Sequence, residues 1–143
     1  MLEDPGLGRF IDAQNPVFEA VCAELAGGAK RTHWMWFIFP QLRMLGRSST
    51  ARFFGIEDRV EAQAYWQHPL LSERLRRCTM LVLAVQGMTV HQIFGSPDDL
   101  KLRSCMTLFE VVAPAEAAFG EVLARYYDGV RDETTIKALG YAV

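Results

Sequence analysis

The chain has 143 residues, half of them apolar and 22% charged, with a formal net charge of −2. That length suits one domain burying roughly two-thirds of its unfolded surface, so a core forms without metal or disulfide. Ordinary globular composition excludes disorder, and the slightly acidic balance gives no strong nucleic-acid signal, because wholesale phosphate-backbone binding needs a basic excess.

The three cysteines, Cys22, Cys78 and Cys105, are odd in number and form no C-x-x-C pair, which predicts free thiols and no metal site. No apolar h-region follows Glu3 and Asp4, and apolar runs such as Met80 to Val85 are far too short for a bilayer. Membrane association is not expected, and a cytoplasmic location is.

Asn15-Pro16 reads as the N-cap and first-turn proline of a helix striped by Phe18, Val21, Cys22 and Leu25 and ended by Gly27-Gly28. Trp34 to Phe39 is apolar throughout and fits a buried strand or a helical turn. Helical surroundings favour the turn. Asp58, with Glu61 three residues on, predicts a capping-box start. His68-Pro69 then opens a helix with Leu71, Leu75, Cys78, Val82 and Val85 on one face. This helix is expected to be the most buried, since its second half is apolar all round.

Ser96-Pro97-Asp98-Asp99 predicts another helix start, with acids near the positive helix end and Leu102, Cys105, Met106, Phe109 and Val112 facing inward. Asp99 and Arg103 stand at pairing distance along that helix. Phe119, Val122, Leu123 and Tyr126 stripe the next helix up to Gly129, and a short helix from Asp132 to Leu139 follows. No Asn-Gly or Asp-Gly hairpin signal exists. The reading is an all-α fold: one compact orthogonal multi-helix domain over residues 1–143.

Chemistry concentrates between Lys30 and Arg59, where six cations face two anions. Lys30-Arg31-Thr32-His33-Trp34-Met35-Trp36, running on to Gln41, sets two tryptophans beside two cations and a histidine. Such a surface can stack a ring while cations hold phosphate; the same aromatics can equally be core. Next, Arg43 and Gly46-Arg47-Ser48-Ser49-Thr50-Ala51-Arg52 place backbone N–H groups at a short helix start between arginines, which suits an anion. A capped surface helix reads the same way. Lys101, Arg103 and Ser104 form a polar helix face that can line a cleft or simply be solvated. Glu61, beside Tyr65 and Trp66, is the candidate general acid/base, or only a cap. Neither a catalytic motif nor a cofactor motif is present.

His33 to Gln41, Gly46-Arg47-Ser48, Glu61-Ala62 with Tyr65 and His68-Pro69, and Phe94 to Lys101 with Met106-Thr107-Leu108-Phe109 resemble the bacterial domain-of-unknown-function family 1810 over nearly the whole chain. The resemblance implies an all-helical fold and no established activity. Some members carry a calpastatin-like label, although a calpain inhibitor is a disordered repeat protein. A more remote similarity is to the NADAR superfamily, which acts on ADP-ribose-linked or related N-glycosidic substrates. Phe37 to Pro40, Glu61 with Tyr65, and Arg103, Met106 and Phe109 stand in comparable order. The superfamily's Glu-His-x-x-Gln run reads Glu61-Ala62-Gln63-Ala64-Tyr65 here.

Together these readings predict a cationic, aromatic-lined pocket for a phosphorylated or nucleotide-like small molecule. His33, Trp34, Trp36, Gln41, Arg43, Arg47, Ser48, Arg52, Lys101 and Arg103 are its candidate binding residues. His33, Trp36, Arg47 and Lys101 are expected to converge on it. Two functions compete: an ADP-ribose-related N-glycosidase using Glu61, and a non-catalytic binding or interaction module.

Overall fold

A computed structural model describes residues 5–140. In chain order its helices are α1 (Pro5–Gln14), α2 (Phe18–Ala26), α3 (Met35–Ile38), α4 (Ser49–Phe53), α5 (Arg59–Gln67), α6 (Pro69–Ala84), α7 (Val90–Phe94), α8 (Asp98–Val112), α9 (Ala118–Tyr127) and α10 (Glu133–Ala138). A 3-10 turn, Arg43–Leu45, lies between α3 and α4. Among the described residues the only β pairing is an isolated parallel bridge between Leu42 and Ile56. The fold is all-α, as the periodicity predicts.

Most boundaries follow from local chemistry. Asp58 accepts a hydrogen bond from the Glu61 N–H at 2.9 Å, Asp132 caps α10 through the Thr135 N–H, and His68 joins α5 to the first-turn proline of α6. Behind α9, Asp128 and Gly129 take left-handed conformations that end the helix. Trp34 to Phe39 contains the single turn of α3, so the helical reading holds.

Some expectations are corrected. Helix α2 starts at Phe18 with Val17 at the N-cap, and Asn15 instead accepts from Arg74 at 2.9 Å. The box at Asp58 is half formed, because the Glu61 carboxylate accepts from the Glu57 N–H rather than from Asp58. Asp99 meets His91 at 3.3 Å instead of Arg103, whose guanidinium carbon lies 6.0 Å from the Tyr127 ring.

Of the two long helices, α8 rather than α6 is the more buried, contrary to the expectation. Seven of its fifteen residues are buried, against five of sixteen in α6. Both helices have four main neighbours, α5, α7, α9 and α10 around α8 and α2, α3, α5 and α9 around α6, but Met80 on α6 stays 52% exposed. A chain of rings runs through this core, from Phe10 to Tyr65 at 5.1 Å, Tyr65 to Phe109 at 5.3 Å and Phe109 to Phe119 at 5.9 Å. Those spacings are within the favourable range for edge and offset aromatic pairs. Burial pushes the Tyr65 hydroxyl far above its ordinary pKa, and Gln14 Nε2 donates to it at 3.2 Å.

The segment that carries α4 is closed at its base. Arg43 N–H donates to Ile56 O and Ile56 N–H to Gln41 O, each at 2.8 Å. Gly55 is needed there, since a Cβ would stand 2.3 Å from Arg43 Cα. Across a cleft, the Gly46–Arg52 stretch carried by this closure faces the N-terminal half of α8.

Candidate functional site

Between the α4 segment and α8 lies an open cleft of about 490 Å³. Arg47 and Ser48 line it from the start of α4, and Lys101, Arg103 and Ser104 from α8. Gln41 and Asp132 complete its polar wall, with Leu45, Pro97 and Leu100 between them. A narrow recess of about 10 Å³ adjoins it, shares Gln41, Ala51 and Lys101, and reaches Trp36, Phe39 and Phe54.

The structure thus brings together five expected binding residues, Gln41, Arg47, Ser48, Lys101 and Arg103, around the cleft, with Trp36 in the recess beside it. Lys101 Nζ is 5.8 Å from the Trp36 ring, within cation–π range. His33 lies 6.5 Å from Trp36 but lines neither space. Of the four residues expected to converge on one pocket, Arg47 and Lys101 line the cleft, Trp36 lines only the adjoining recess and His33 lines neither.

The others are placed elsewhere. Trp34 is core, 1% exposed, with its Nε1–H donating to Glu24 at 2.9 Å. Arg43 pairs with Glu57 and donates to Arg52 O, while Arg52 donates to Gly46 O at 3.3 Å, so both arginines brace the α4 loop. Glu61 does not line the cleft. Its carboxylate is bound by Arg9 at 3.1 and 3.3 Å and by the Glu57 N–H at 2.9 Å.

The cations of the cleft are unequal. Lys101 stands 3.7 Å from Asp98, whose other oxygen is 2.9 Å from Lys30. Arg47 makes no hydrogen bond or ion pair among the described residues. Arg103 has its Nε buried without an acceptor among them. The five-residue α4 adds little of its own, because Ser48 Oγ already takes the Ala51 N–H at 3.0 Å. Sequence reading missed Asp132 as a wall residue; it reaches the cleft through tertiary structure, with its N–H donating to Thr107 Oγ1 of α8 at 3.0 Å.

Fold and cleft define a small all-helical protein with a cationic groove between its central helix and a short capped loop helix. A family model described as protein of unknown function (DUF1810) matches residues 4–139, and the chain belongs to that family. It is also similar to the conserved hypothetical protein Rv1873 from Mycobacterium tuberculosis, known from a crystal structure. The two are 52% identical with a TM-score of 0.94, over 97% of this chain and 100% of that one. No curated protein matches the chain. Among the described residues, no helix is long and apolar enough to cross a membrane, and no group of three acidic, histidine or cysteine side chains can hold a metal.

Proposed function

We propose that the cleft binds a phosphorylated or nucleotide-like small molecule and that the protein acts as a binding module for it. The observation that carries this reading is the pair of unsatisfied guanidiniums. Arg47 is without a protein partner among the described residues, and Arg103 holds a buried Nε–H with no acceptor. A buried donor left unpaired costs roughly 1–3 kcal/mol, a cost that an anion's oxygen removes. Two planar forks and an ammonium on one groove suit phosphate oxygens above other groups.

The catalytic version, an ADP-ribose-related N-glycosidase on the NADAR resemblance with Glu61 as acid/base, has less support. Glu61 is occupied by Arg9 and Glu57, and the one carboxylate on the cleft wall, Asp132, serves as the α10 cap.

Arg47→Ala tests the binding reading. Calorimetric affinity for a phosphorylated ligand such as ADP-ribose should fall by roughly 1.5–3 kcal/mol, the scale of a hydrogen bond to a charged group. The melting temperature should hold, because an exposed arginine contributes little to folding. Arg47→Lys should recover only part of the affinity, lacking the fork. A sharp fall in melting with unchanged affinity would show Arg47 to be structural and sink the proposal.

A further inference from the structure

The cleft's lining is informative about the rest of the ligand. No aromatic ring is among its wall residues. Trp34, the expected stacking platform, is in the core, and the recess that exposes Trp36 holds about 10 Å³. That is room for about one water and not for a base. Yet 490 Å³ is far more than a phosphate fills, and it lies in the range of about 300–1,000 Å³ typical of small-molecule sites.

Apart from the cations, the wall offers hydroxyl chemistry. Asp132 uses Oδ2 for the Thr135 N–H and hydroxyl at 3.0 and 2.6 Å, and its Oδ1 accepts nothing among the described residues. An ionised carboxylate oxygen repels phosphate and accepts from hydroxyls. Ser48 Oγ accepts from Ala51 N–H and keeps its proton to donate, while Ser104 Oγ donates to Leu100 O at 3.2 Å and keeps lone pairs to accept. Gln41 can do both.

We infer that the ligand is the phosphate ester of a non-aromatic polyol, in class a sugar phosphate, rather than a nucleotide. Its phosphate meets Arg47, Lys101 and Arg103, and its hydroxyls meet Asp132, Ser104 and Gln41. The inference rests on the phosphate-binding reading above and narrows it.

Calorimetry on the full chain separates the two. The probes are a panel of pentose, hexose and glycerol phosphates, adenosine monophosphate, and inorganic phosphate. At least one sugar or polyol phosphate should bind about tenfold or more tightly than inorganic phosphate, and more tightly than the nucleotide. Asp132→Asn keeps an acceptor for the Thr135 N–H, so α10 stays capped. It should cut that affinity about tenfold and leave inorganic phosphate binding undiminished. Should Asp132→Asn unfold, Ser104→Ala provides the second reading, with a smaller selective loss. Tighter nucleotide binding, or inorganic phosphate binding as well as every ester, overturns the sugar-phosphate inference and leaves the phosphate site standing. Binding of no phosphorylated probe overturns both.

Discussion

Arg9 and Arg103 are two guanidiniums with buried nitrogens, and the fold treats them in opposite ways. Arg9, its side chain 10% exposed, spends every donor: Nε on Phe53 O at 2.7 Å, and its terminal nitrogens on Gly6 O, Gly55 O and both Glu61 oxygens. Arg103 leaves its Nε unpaired, and nearby Arg47 leaves its whole head unpaired among the described residues. The first arrangement fastens α1 to the base of the α4 loop. The second leaves donors unpaired on two residues that line the cleft. A cation fully satisfied by its own chain stabilises the fold, and one left unsatisfied at the cost of desolvation is held ready for something else.

The hardest test of this contrast is Arg9→Ala. It removes the charged partner of the Glu61 carboxylate, 16% exposed, which keeps only the Glu57 N–H, and takes a donor from three backbone carbonyls. Removing one partner of such a pair costs about 3–5 kcal/mol. Urea unfolding should show that loss, while ligand affinity per folded molecule holds. A variant as stable as the wild type would mean that the α1 junction is not fastened by this pair.

Arg103→Met should do the reverse. The substitution keeps an apolar stem over Tyr127 and removes a buried donor that has no acceptor, so thermal stability should hold or rise. Affinity for a phosphorylated ligand should fall by roughly 1.5–3 kcal/mol. A marked drop in melting temperature would place Arg103 with Arg9, as structure.

Which of these regions could be read in the sequence follows from how local each one is. Caps and stops act within four residues, so Asp58, His68-Pro69, Asp132 and Gly129 could be read directly. Helix α1 is not legible because Gly6 and Gly8 lower its helix propensity and, among its described side chains, Leu7 and Phe10 are the buried apolar ones. Helix α7 was missed too, although Thr89 and Gln92 form a full capping box, because five residues show no stripe. The burial of α8 relative to α6 was not legible either: an apolar stretch announces burial, yet Met80 in the apolar second half of α6 faces out. Arg47, Lys101 and Arg103 stand out as cations in sequence. That Arg9, 52 residues from Glu61, removes this carboxylate from consideration depends on tertiary structure alone.

The smallest expected effect concerns the other fully engaged acid, Glu24, which ties the Arg31–Trp34 turn to α2. Its oxygens accept from Arg31 N–H at 2.7 Å, Thr32 N–H at 3.0 Å, Thr32 Oγ1 at 2.7 Å and Trp34 Nε1 at 2.9 Å. Burial alone raises its pKa, but the hydrogen bonds from Thr32, Arg31 and Trp34 outweigh burial and bring it to about 2. An unfolded glutamate titrates near about 4.3. The charged form is therefore favoured in the native state, and its contribution is complete above that value. It is lost as pH falls through the interval down to about 2. Glu24→Gln keeps an acceptor for part of the turn and has nothing to titrate. The stability gap between wild type and variant should thus be widest near neutral pH and narrow steadily from about pH 5 downward. Because Glu24 belongs to the satisfied class, phosphorylated-ligand affinity at neutral pH should match the wild type. Parallel stability curves through the acid range would show that the carboxylate's charge contributes nothing to holding the turn. A loss of affinity would join this turn to the cleft and break the division between the two kinds of charge.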